Sequence, residues 1–121
     1  MKISKRVLTI AAISVALSTT ARAADLYTAP CDSPYETMYC TVVNGRTTPV
    51  TLTIESVDFF GKVVDSSGSI QLAPDQATSL KAGSTANHCR FSVDGSTKGV
   101  VAHAVSARDD NDQYTIAVPA Q

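Results

Sequence analysis

From Tyr39 onward the chain is built of short runs in which apolar and polar residues alternate, punctuated by Gly, Pro, Asn and Asp. The clearest is Pro49 to Phe59, where Val50, Leu52 and Ile54 alternate with Thr51, Thr53 and Glu55. A period of two is the signature of a strand with one buried face. Leu52 and Ile54 are therefore expected to face a core. His88 to Val93 repeats the pattern, with Cys89, Phe91 and Val93 on one side and Arg90, Ser92 and Asp94 on the other. Further runs are Tyr39 to Asn44, Lys62 to Asp65, Ser69 to Ala73, Ala77 to Ala82, Gly99 to Arg108 and Gln113 to Ala120. The turn chemistry between them is explicit at Asn44-Gly45, Phe60-Gly61-Lys62, Pro74-Asp75 and Asp94-Gly95. A Ser-rich link separates Asp65 from Ser69, and Asp109 to Asp112 joins the last two runs as a hairpin loop. In Val101 to Val105, either alternation is apolar enough to face inward. No run after residue 23 has the 3.6-residue spacing of an amphipathic helix, and β-branched residues fill the apolar positions. The expected fold is all-β: an antiparallel β-sandwich of about seven to eight strands with Greek-key connections.

The first 23 residues have a different texture. Lys2, Lys5 and Arg6 precede an apolar run from Val7 to Leu17, and Ala21-Arg22-Ala23 closes the segment. That is the pattern of a secretory signal peptide, with cleavage expected before Ala24. The apolar run falls well short of the roughly 20 residues that a spanning helix needs, so no membrane insertion is expected after cleavage. Residues 24–38, with Pro30 and Pro34 and no clean period, read as an irregular N-terminal arm, and 39–121 as the sandwich domain.

Charge narrows the partners. Residues 24–121 keep six basic against eleven acidic side chains, a net charge of −5. Nucleic acids and anionic membranes demand clustered Lys and Arg, so neither is an expected partner. The expected location is the periplasm or the extracellular space, an oxidising setting in which three cysteines imply at least one disulfide. Cys40 and Cys89 each open an alternating strand, and such positions can face each other across a sandwich. Cys31 to Cys40 is the competing bridge. Placement in two regular strands favours Cys40 to Cys89 and leaves Cys31 in the arm.

Candidate chemistry is sparse. His88 beside Cys89 invites a metal or nucleophile reading, but strand neighbours point to opposite faces and cannot reach one centre without a bulge. His103 reads as an outer-face or sheet-edge residue. Asp109, Asp110 and Asp112 offer oxygens to Ca²⁺ but lack the glycine and later glutamate of a twelve-residue calcium loop. There is no phosphate loop and no Gly-x-Ser-x-Gly elbow. The expectation is a protein with no catalytic residues, no metal and no cofactor. Tyr27, Tyr35 and Tyr39 form the candidate contact surface, since tyrosines make good contact residues.

Cys40-Thr-Val-Val-Asn44, Phe60-Gly61-Lys62, Leu72-Ala73-Pro74, His88-Cys89-Arg90-Phe91 and the terminal hairpin together resemble small secreted bacterial proteins of unknown function with an expected immunoglobulin-like sandwich. The resemblance implies the Cys40 to Cys89 bridge and no activity. The functional expectation is a secreted, non-enzymatic module that binds a protein or surface ligand, with a small secreted hydrolase inhibitor as the alternative.

Overall fold

The computed structural model describes residues 23–31, 36–108 and 114–121. Eight strands and no helix are present among them: β1 (Ala24–Tyr27), β2 (Glu36–Asn44), β3 (Val50–Asp58), β4 (Val63–Leu72), β5 (Ala77–Lys81), β6 (Ala86–Val93), β7 (Val100–Arg108) and β8 (Tyr114–Pro119). They form two four-stranded sheets, ordered β1-β6-β3-β4 and β5-β2-β7-β8. Every pairing is antiparallel. Only β3–β4 and β7–β8 are neighbours both in sequence and in a sheet, so the other connections cross between sheets.

The core lies between the sheets and follows the alternation. β3 buries Val50, Leu52 and Ile54, and β6 buries Cys89, Phe91 and Val93. From the second sheet come Met38, Cys40 and Val42 of β2 with Ala102 and Ala104 of β7. Cys40 and Cys89 are bonded to each other across the two layers and are fully buried. β7 resolves its ambiguity against side-chain size. The small residues Ala102, Ala104 and Ser106 point in, and Val101, His103 and Val105 take the outer parity. Ala104 pairs in register with Cys40, beside the bulky disulfide, where a small residue fits.

Two expectations change. The segment 24–38 is not irregular throughout: Ala24–Tyr27 pairs along β6 from Ala24↔Val93 to Tyr27↔Arg90, and β2 already starts at Glu36. Thr28 extends this pairing, donating its N–H to the Cys89 carbonyl and accepting the Cys89 N–H on its hydroxyl (3.1 and 2.9 Å). Four residues are too few to display a period, and an edge strand is half-exposed anyway. The runs 62–65 and 69–73 are likewise one strand, β4, carried through the Ser-Gly stretch by a bulge at the register shift between Thr53 and Glu55. Gly68 supplies the left-handed turn of backbone at φ 64°. The Ile54 N–H, displaced from the ladder, donates instead to the Ser67 hydroxyl at 2.9 Å.

Buried polar groups pin the corners. Asn44 is fully buried at the end of β2; its Nδ2 donates to the carbonyls of Thr48 (2.9 Å) and Leu72 (3.0 Å), and its Oδ1 accepts the Arg46 N–H (2.9 Å). One side chain thus ties the turn after β2 to the end of β4. Replacing Asn44 by Ala strands these groups and is expected to cost about 2–3 kcal/mol, read as a lower urea midpoint at unchanged m-value. Ser56, also fully buried, donates to Asp65 Oδ2 at 2.8 Å, and that oxygen also accepts the Gly83 N–H at 2.7 Å.

One edge of the sandwich is laced shut. Tyr27 and Gln121 exchange two backbone hydrogen bonds, each of 3.0 Å, joining the first sheet to the chain end that follows β8.

Candidate interaction site

The most anomalous surface is the turn between β3 and β4. The chain has three phenylalanines. Phe91 is completely buried, whereas Phe59 and Phe60 are 80% and 92% exposed. Their rings meet edge to face with centroids 5.8 Å apart, a favoured aromatic geometry. The pair therefore stands on the tip as one apolar knob.

Asp58 builds the tip. Its Oδ1 accepts the N–H groups of Phe60 (2.9 Å) and Lys62 (2.8 Å), while its own N–H donates to the Lys62 carbonyl and its carbonyl accepts the Gly61 N–H. An aspartate folding back on the next residues is a self-contained turn former. Gly61 completes it at φ 83°, a conformation that costs a residue with a Cβ about 1–2 kcal/mol. The aromatic rings are thus carried on a backbone fixed by the turn's own hydrogen bonds.

Tyr27 and Tyr39 do not share a surface. Tyr27 lies on the outer face of the first sheet, its hydroxyl donating to Asp25 Oδ2 at 3.3 Å, next in register to Arg90. Tyr39 lies on the outer face of the second sheet, where it lines a half-open depression of about 440 Å³ with Thr41, Ser79 and Val105. Tyr35 lies outside the described residues, as do Asp109, Asp110 and Asp112.

The His-Cys pair divides as strand geometry requires. Cys89 points inward to its disulfide, and His88 sits on the other side of β6 with Nδ1 3.1 Å from Asn87 Oδ1. His103 is half-buried on the outer parity of β7. Among the described residues no three His, Cys, Asp or Glu side chains gather as a metal ligand set. Cys31 is half-buried, and its thiol lies 4.0 Å from the Ala29 carbonyl oxygen. Arg90 sits in a perturbed electrostatic environment. Its hydrogen bonds to Glu55 (2.9 and 3.1 Å) raise the guanidinium pKa above its ordinary value, against the opposing effect of partial burial. Arg90 therefore stays charged throughout the physiological range and holds β6 to β3 on their outer face.

The aromatic tip escapes periodic reasoning because Phe59 and Phe60 follow the last alternating position of β3. The signal that could have found it is two bulky apolar residues between a turn-forming Asp and a Gly. No family model, curated protein or solved structure matches the chain.

Proposed function

We propose that the chain is exported by way of residues 1–23 to the periplasm or the extracellular space. There it acts as a non-enzymatic, immunoglobulin-like binding module whose aromatic tip engages a protein partner. The observation carrying this reading is the exposure of Phe59 and Phe60 on a turn organised by Asp58. Leaving two phenylalanines in water forgoes the roughly 1.5–3 kcal/mol that burial of each would contribute. A preorganised aromatic knob recovers that energy on entering an apolar pocket, with little ordering cost. Export is supported by the Lys-rich start, the short apolar run and Ala21-Arg22-Ala23, and the buried disulfide suits an oxidising compartment. The immunoglobulin-like reading is supported by two facing antiparallel sheets bridged between inner strands β2 and β6.

The test is affinity capture with the exported protein from extracts of its source cells, alongside the double variant Phe59→Ser/Phe60→Ser. The variant should fold with an unchanged melting temperature and lose at least about tenfold in affinity for the protein that the wild type retains, as expected on removing hot-spot aromatics. Asp58→Ala, which keeps both rings but frees the turn, should weaken binding by less. Equal retention by the Phe variant would dismiss the tip as the contact. A second reading, a hydrolase inhibitor, is favoured by the convexity of the same tip, which suits an active-site cleft. Loss of the captured protein's hydrolytic activity, restored with the Phe variant, would select it.

A further inference from the structure

The two outer faces of the sandwich differ in kind. On the first sheet the outward positions include Thr51, Thr53, Glu55, Gln71, Arg90 and Ser92, a mostly polar exterior with Tyr27 at its β1 edge, as expected of a half-buried antiparallel sheet. On the second sheet the central ones are Tyr39, Thr41 and Val43 of β2 and Val101, His103 and Val105 of β7, flanked by Ala77, Ser79 and Lys81 of β5. Val43 and Val101 are 39% and 50% exposed. Residues 24–121 hold eleven acidic residues, yet none of the described ones occupies this face; Lys81, on edge strand β5, is its cation among the described residues. In β7 the larger apolar side chains face out while the alanines face in.

We infer that this face binds a second copy of the same chain, sheet against sheet, in a two-fold dimer. Register supplies the self-complementarity. Val43 pairs with Val101 at one end of the face, Thr41 with His103 in the middle, and Tyr39 with Val105 at the other end. The depression is at the Tyr39–Val105 end, and the two exposed valines stand at the opposite end. A two-fold axis lying in the interface, across the strands and over the Thr41–His103 row, turns one copy end for end. It sets Val43 and Val101 of each copy over the depression of the other. The Lys81 side chains then fall at opposite ends, so no two like charges meet within the contact.

Charge and area point to the same occupant. With a net charge of −5 on residues 24–121, the domain approaches its own copy with least repulsion across the face that carries no acid among its described residues. With strands about 4.8 Å apart and residues about 3.3 Å apart, the four-stranded face covers about 500 Å². Two such faces bury about 1,000 Å² in all, the lower end of specific interfaces, which fits a dimer that dissociates on dilution. The Phe59–Phe60 knob lies on the other sheet's turn, so the inference is independent of the tip's role.

The experiment is sedimentation velocity on the exported protein across roughly a thousandfold concentration range, in a Cys31→Ser background so that only non-covalent association is read. The expected result is a concentration-dependent shift from one chain mass to two. Val101→Glu should weaken association at least about a hundredfold without lowering the melting temperature, because the position is already half-exposed. Thr53→Glu, on the polar outer face of the first sheet, should leave association unchanged. A species that stays monomeric at the highest concentration, or a dimer that survives Val101→Glu, would overturn the inference.

Discussion

Removing the Cys40–Cys89 bridge is expected to lower the folding free energy by about 4 kcal/mol, the loop-entropy value for a separation of 49 residues. A domain of this size has a total stability of roughly 5–15 kcal/mol, so the loss is a large share of it. The bridge crosses between the layers, and both sulfur-bearing side chains are fully buried. The paired replacement Cys40→Ala/Cys89→Ala is the proper comparison, since a single replacement leaves a reactive thiol in the core. Chemical unfolding of this variant against the oxidised protein measures the effect. A loss below about 1 kcal/mol would mean that the unfolded chain is already confined without the bridge.

Phe91→Ala comes next, with an expected cost of about 3–5 kcal/mol. Phe91 is the largest fully buried side chain among the described residues, on central strand β6 with register partners Leu26 on one side and Ile54 on the other. Its removal leaves a cavity between two hydrogen-bonded sheets that cannot close over it. The same substitution at Phe60, which is 92% exposed, should change stability by less than about 0.5 kcal/mol. The contrast between two phenylalanines of one chain, measured in one denaturant series, separates a ring packed in the core from one left on the surface.

How far the sequence alone reaches depends on how regular each element is. β3 and β6 were legible because each pairs a clean period of two with a single possible inner face. β7 was legible as a strand but not in its facing, since Val101-Ala102-His103-Ala104-Val105 is apolar in both alternations. Only the pairing of Ala104 with Cys40 settles which side is inside. β1 is too short for a period, and β4 hides its continuity behind Ser66-Ser67-Gly68, residues that serve a bulge as readily as a loop. Strand positions favoured Cys40–Cys89 over Cys31–Cys40, and the structure has the former. The aromatic tip was not legible, because exposure of a phenylalanine is a property of the folded surface and has no local pattern. The tyrosines show the converse: close in sequence, Tyr27 and Tyr39 are sent to opposite faces once their strands join different sheets.

The lacing of Tyr27 to Gln121 also has a mechanical meaning. A force drawing the two ends of the folded domain apart loads that pair of hydrogen bonds directly and peels them one after another, the weakest way to strain a sheet. Once the strands have given way, the Cys40–Cys89 bridge holds back the 49-residue span between them, about 170 Å of chain at about 3.5 Å per residue. Under tension the domain would therefore yield early but extend only partway, with its central strands kept close enough to refold when the tension is released.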